Sequence, residues 1–305
     1  MRSSFFVLGI LAAFGVAPPL AAEEARAAAS ATEINKQLTN PVSNLWSIAF
    51  QQNNFRVDPG PGEGNRWSSN LLFQPVLPVA ISPDWNLITR PVVPLFVSTP
   101  RPDPEPGDPL HVGRSTAFGD TTLMQLVSPS PQFVGSWLLG FGPTWIFPTA
   151  GSDFTGQDQY QVGPAALVGY LSEKWIAGGL LQNWWSFAGS DKRSETAQMN
   201  FQPFFAYFLA DGWSIAYSGN VLANWKNESG SDWTVPLGVG VAKVTKLGKL
   251  PVRIGLAAQW MAVQPDLYGQ KWNFQLIVSP VLPKLVRGNL VDPSRLEFGL
   301  PPRKP

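Results

Sequence analysis

The chain has 305 residues, a net charge of +1, no cysteine and 13 Trp, with 14% charged against 12% aromatic residues. Soluble domains carry about 25% charged residues, so the composition argues against a fully water-facing surface, and the small net charge against a nucleic-acid partner. A mean hydropathy of -0.01 is too polar for a bundle of membrane helices, and without cysteine there is no disulfide framework and no thiol chemistry.

The first segment carries Arg2, an apolar stretch from Phe5 to Val16 and small residues before Glu23. This is the pattern of a secretory signal peptide, expected over 1–22, with the Ala27–Ala29 run as an alternative cleavage region. Residues 23–42 are expected to be a periplasmic N-terminal segment or a plug, and NPVSNLWS at 40–47 is an alternative short plug inside the barrel.

From there a two-faced pattern of period two recurs about a dozen times. The segments fall near 45–55, 67–80, 85–98, 116–127, 135–147, 159–171, 175–188, 197–209, 213–225, 232–244, 250–263 and 271–283. Ten or so residues is the length of a tilted spanning strand. The last five are clearest: in 232–244, Trp233, Val235, Leu237, Val239 and Val241 oppose Thr234, Gly238 and Gly240. The phases of 116–127 and 175–188 are ambiguous, and prolines at 75, 78, 91 and 94 weaken two more. Short connections (82–84, 129–133, 172–174, 210–212) alternate with longer polar ones (56–66, 99–115, 149–158, 189–196, 226–232, 264–270). That alternation is the pattern of short periplasmic turns and long outer loops.

Trp85, Trp137, Trp175 and Trp213 follow short connections, whereas Trp67, Trp185, Trp225, Trp233 and Trp272 lie beside long ones. Amphipathic rings at both strand ends form two girdles at membrane interfaces. An exported sandwich with exposed Trp would share the alternation, but not low charge together with paired girdles. The expectation is an all-β fold: a transmembrane antiparallel up-and-down β-barrel of about 12 strands over 43–284, with a C-terminal tail over 285–305.

Several motifs resemble a known family. KQLTNPVSNLWSIAFQQNNF (36–55), GFGPTWIFPTA (140–150), WSFAG (185–189), FQPFFAY (201–207) and DWTVPLGVGVAKV (232–244) are similar to proteobacterial outer-membrane proteins labelled transporter or neuromedin U-like. These are grouped with components of phenol meta-cleavage pathways. The resemblance covers about residues 36–283 and implies a single-chain barrel acting as a solute channel, with no catalytic site to carry over. Barrels of that kind end on an aromatic strand, whereas here VLPKLVRGNLVDPSRLEFGLPPRKP continues past 283.

If the apolar face meets lipid, the polar register lines a lumen. Its candidates are Arg90, Asp120, Gln198, Asn200, Gln202, Asn220, Arg253, Gln259, Lys271, Asn273 and Gln275. Arg90, Arg253 and Lys271 are its expected charges, with Asp120 as counter-charge. Gly140 and Gly142, like Gly238 and Gly240, put small residues on that face, letting the wall approach a narrow interior or kink the closing sheet. His111 is the single histidine, with Asp108 and Ser115 close in sequence, but a triad on a Pro-rich loop lacks a rigid support. Asp103, Glu105 and Asp108 could hold a hard cation, although interleaved prolines favour an extended solvated loop. No catalytic residue, metal or cofactor is expected. The expected partners are outer-membrane lipids and lipopolysaccharide, the barrel assembly machinery and a small-molecule solute. The reading is a passive channel for small, weakly charged or aromatic solutes; the alternatives are a structural barrel with a blocked lumen and an outer-membrane lipid hydrolase.

Overall fold

The computed structural model describes residues 30–58, 66–106, 111–226, 233–266, 269–292, 294 and 296–299. The segment expected to be a signal peptide lies outside them. Twelve antiparallel strands form one closed sheet. They are β1 (Ser47–Asp58), β2 (Arg66–Ala80), β3 (Trp85–Pro102) and β4, which runs as Val112–Phe118 and then Thr121–Pro129. β5 (Trp137–Phe147), β6 (Gln159–Leu171), β7 (Trp175–Gly189) and β8 (Ala197–Phe208) follow. β9 is again in two pieces, Trp213–Ser218 and Val221–Asn224, before β10 (Trp233–Leu247), β11 (Leu250–Val263) and β12 (Gly269–Pro280). Each strand pairs with its sequence neighbour, and β12 pairs with β1 from Phe50↔Val278 to Asp58↔Gly269. Closure removes the free edges that an open sheet would present.

The period-two pattern sorts residues between two surfaces. Val239 is 58% and Phe141 63% exposed on the outside, while Ile88, Leu126 and Gln161 are fully buried inside. The prolines of β2 and β3 are carried within continuous strands. Pairing lapses between Phe73↔Val93 and Leu77↔Thr89, the stretch containing Pro75 and Pro91. Their missing N–H groups are thereby gathered into one gap in the ladder. On β5 a Cβ at Gly142 would lie 2.0 Å from the Gln125 carbonyl oxygen, so only glycine lets β4 and β5 approach this closely.

Inside the barrel, at the short-turn ends of β3–β8, Ile88, Leu126, Leu138, Leu167, Ile176 and Phe204 form an apolar cluster. The N-terminal segment lies against this end. A helix, α1, spans 30–39 and stops before Asn40, whose α conformation Pro41 disfavours. Asn35 Nδ2 donates to the Gly212 carbonyl at 2.9 Å, and the Gly212 N–H donates to Thr32 Oγ1 at 3.1 Å. Gly212 has φ +74, and a Cβ there would come 2.9 Å from the Ala31 methyl, so glycine permits both the turn and the docked helix. The chain then crosses the mouth: Val42 packs on the apolar cluster, and Trp46 Nε1 donates to the Pro78 carbonyl at 2.8 Å before β1 begins. Beyond β12, the tail bonds back through Leu282 N to Trp46 O at 2.8 Å and Leu290 N to Ala80 O at 3.0 Å. It closes a small hairpin, β13 (Val286–Arg287) with β14 (Glu297–Phe298).

Candidate functional site: the barrel interior

Three cavities stack along the interior. The innermost, about 200 Å³, is floored by Gln37, Thr39, Asn40 and Ser43 of the N-terminal segment. A second, about 190 Å³, shares Arg90, Gln202, Ser218 and Gln275 with the first. A third, about 440 Å³, shares Trp184 and Asn200 with the second and reaches Asn224, Thr234 and Pro265 at the long-loop end.

Strand alternation puts amides on these walls, and hydrogen bonds fix them. Gln198 Nε2 donates to Gln157 Oε1 and Gln161 Oε1, both at 2.8 Å. Gln182 Nε2 and Trp184 Nε1 both donate to Thr144 Oγ1, at 2.8 and 3.1 Å. Across the barrel Asn53 Nδ2 donates to Asn70 Oδ1 at 2.8 Å, and Asn273 and Gln275 both reach Gln259 Oε1 at 3.4 Å. Gln259 itself donates to the Ser218 carbonyl at 2.8 Å. Gln202 donates to Ser218 Oγ at 3.0 Å, and Asn220 lines the second cavity beside it.

The charged candidates separate. Arg90 faces the two inner cavities, and Arg253 faces the innermost one. Arg253 Nε donates to Asn35 Oδ1 at 3.0 Å, so α1 holds this guanidinium in place. Lys271 was expected with Arg253 as a lumen charge on the adjacent strand, and the structure places the two at different depths. Lys271 lies near the long-loop end of β12, where its Nζ pairs with Asp58 Oδ2 at 2.7 Å, whereas Arg253 lies near the opposite end of β11. Adjacent strands run antiparallel, so equal registers do not mean equal depths. Asp120 is likewise no counter-charge to the arginines. It sits in the break of β4, accepts from the Gln157 N–H at 2.6 Å and the Ala150 N–H at 3.2 Å, and so ties down the loop after β5. Burial pushes its carboxyl above the usual range, against the lowering effect of these backbone bonds.

On the outer surface Trp67, Trp85, Trp137, Trp185, Trp213, Trp225, Trp233 and Trp272 are exposed. Trp175 is partly covered by Tyr170, 5.6 Å between rings, and Tyr170 also meets Trp137 edge-on at 5.4 Å. At the other end Trp225 meets Trp233 edge-on at 5.6 Å. Trp260, opposite Trp272 in the register, joins that group although the spacing rule passed over it. Trp184 faces inward. The Trp184–Trp185 pair was the available signal, since consecutive strand residues cannot share a face.

The triad that His111, Ser115 and Asp108 could have formed does not assemble among the described residues. Ser115 Oγ donates to Ser152 Oγ at 3.2 Å, and His111 Nε2 lies 3.5 Å from Glu105 Oε1. Asp108 lies outside the described residues. Among those residues no group of three or more His, Cys, Asp or Glu is arranged to hold a metal ion. No helix among them is long and apolar enough to cross a membrane, which leaves crossing by strands open.

No protein-family model matches the chain, and no curated protein does. Among solved structures it is similar to an outer membrane channel from Pseudomonas putida F1, with a TM-score of 0.56 at 14% identity over 78% of this chain and 96% of that one. The NanC porin gives 0.45 at 6% identity over 78% and 98%, and the KdgM porin 0.40 at 9% over 76% and 97%. The chain therefore has the fold of an outer-membrane β-barrel, all-β, antiparallel, closed and twelve-stranded.

Proposed function

We propose that the protein is an outer-membrane channel through which small, weakly charged or aromatic solutes diffuse passively. The observation that carries this is the column of three cavities from the long-loop end to the N-terminal segment, walled by amides and hydroxyls. Polar groups facing inward cost little where one another, water or a solute satisfies them, and the open volume beside these amides leaves room for water and a solute. The long-loop end is the outer one in this reading. The exposed Trp groups at the two ends are girdles in contact with lipid and lipopolysaccharide, and the described part of the N-terminal segment, residues 30–42, is a plug at the periplasmic mouth. The barrel assembly machinery is the partner that inserts the chain. The family resemblance favours an aromatic solute, and the shared fold with an outer membrane channel agrees with transport. A lipid hydrolase fits less well, because the Ser115 hydroxyl is turned to Ser152 and away from a base.

The test is conductance of the purified protein in planar bilayers, where small, steady openings are expected. One observation favours the blocked barrel as second reading: residues 37–43 form the floor of the innermost cavity. A silent full-length protein that conducts once 30–43 are removed would identify that segment as the block. Silence in both would leave a structural barrel.

A further inference from the structure

Arg90 lines both inner cavities, at their junction. Among the described residues nothing accepts a hydrogen bond from its guanidinium and no carboxylate pairs with it. The lining of these two cavities contains no Asp and no Glu, while Arg253 adds a second positive charge on the inner side. An uncompensated guanidinium inside a low-dielectric wall is costly, and that cost falls when an anion arrives. Its planar fork of donors fits a carboxylate in two parallel bonds. Gln202 and Gln275 flank it with amide N–H groups, each engaged in one bond through Nε2.

The second cavity is two-sided: Gln51, Gln74, Gln182, Asn200 and Asn220 give it a polar wall, and a separate group of side chains gives it an apolar one. Leu72, Met124, Leu180 and Trp184 face it, and its volume is about 190 Å³. An apolar cavity of about 150 Å³ accommodates a benzene ring. A charged head site and an apolar wall within one ring-sized cavity describe an amphipathic ligand.

We infer that this junction binds a small organic carboxylate with an apolar body about the size of one ring. The carboxylate sits on Arg90, and the body packs on Met124, Leu180 and Trp184. The inference sharpens the channel reading and rests on it only for access to the site.

Benzoate, benzamide and acetate are the probes, titrated calorimetrically into the full-length protein in detergent. Benzoate should bind about 10- to 100-fold more tightly than benzamide, the factor expected of hydrogen bonds to a charged group. It should also exceed acetate, which lacks the apolar body. Arg90→Gln, shown to be folded by heat-modifiable gel migration, should abolish the preference for benzoate over benzamide. If that variant does not fold, Arg90→Lys keeps the charge without the fork and should bind benzoate less tightly, while still preferring it to benzamide. Equal affinity for benzoate and benzamide in the natural protein, no binding of benzoate, or an unchanged preference in folded Arg90→Gln would each overturn the assignment. Conductance in potassium chloride is scored separately. Benzoate binding in a protein that never conducts overturns the channel and keeps the site, whereas conduction without a preference for benzoate overturns only the site.

Discussion

The interior of this barrel divides into two regions that share one outer surface. At the short-turn ends of β3–β8 the inward residues are mainly apolar, Ile88, Leu126, Leu167 and their neighbours, with Asn86 and Ser130 bonded to each other at the rim. Toward the long-loop end, and along β1, β2 and β9–β12, the inward residues are Asn53, Asn70, Gln259, Asn273 and Gln275. The apolar outside is the same in both, as exposed Phe141 on β5 and Val239 on β10 show. What differs is whether the inward face excludes water or meets it. The dry region buries apolar surface without help from lipid, and the amide region is where the proposed solute path runs.

The largest effect should come from breaking the dry region. Leu167 is 1% exposed, and Leu167→Ala should cost about 2–5 kcal/mol through lost burial and the cavity left behind. Gln275→Ala should cost no more than about 1 kcal/mol, because its bond to Gln259 is long and the site is beside a cavity. Urea unfolding from lipid vesicles compares the two. Equal costs would remove the distinction between the regions.

Next comes the outer surface that both regions share. Val239 lies mid-strand in β10 with its side chain outward, and Val239→Arg should cost about 2–4 kcal/mol if it sits near the bilayer midplane. Asp191→Arg, in the exposed loop after β7, should be close to neutral in the same assay. Similar tolerance at the two positions would mean that the outward face of β10 does not meet lipid.

This division also explains what could be read in the sequence. The phases of 232–244, 250–263 and 271–283 were plain because those strands have apolar side chains on the outer face and amides, glycine or small residues on the inner one. The segments 116–127 and 175–188 were ambiguous for the opposite reason. Met124, Leu126, Ile176 and Leu180 face the dry cluster, so both faces of those strands are apolar and no alternation survives. The stretch QQNN in β1 hid its phase by being polar on both faces: Gln51 and Asn53 bond to each other inside at 2.9 Å, while Gln52 bonds to Ser69 on the outer face at 2.7 Å. The depth of a charge was not legible either. Lys271 and Arg253 share a register parity, but parity says nothing of position along the barrel axis. The partner of Arg253 could not be anticipated, since Asn35 lies 218 residues away on a helix that strand periodicity does not reveal.

A smaller effect should follow at the boundary that the N-terminal segment makes with the innermost cavity. Asn35 is fully buried and joins α1 to the Gly212 carbonyl and to Arg253. Asn35→Ala removes both bonds and should loosen the docked segment by about 1–3 kcal/mol. Hydrogen exchange should rise over 30–43 while the strands remain protected, and any conductance should increase. Unchanged exchange over that segment would show that Trp46 and Val42 hold it without Asn35.

The smallest effect separates the two cations that sequence parity had placed together. Arg253 faces the innermost cavity with only a neutral amide as its described hydrogen-bond partner, so its charge acts on whatever passes. Lys271 is paired with Asp58 at the long-loop end, where both side chains are about one-third exposed (36% and 32%). A neutral pair at a wet rim contributes little field beyond about 10 Å in 0.1 M salt. Arg253→Gln should therefore lower the anion preference, seen as a shift of reversal potential across a salt gradient at low ionic strength, and the shift should shrink as salt is raised. Removing Lys271 alone would change the net charge of the rim and confuse the comparison. The informative partner is the double variant Asp58→Asn with Lys271→Gln, which deletes the pair and leaves net charge unchanged. Its reversal potential should match that of the natural protein. A shift in the double variant as large as that of Arg253→Gln would mean that the outer rim sets selectivity and the inner cavities do not.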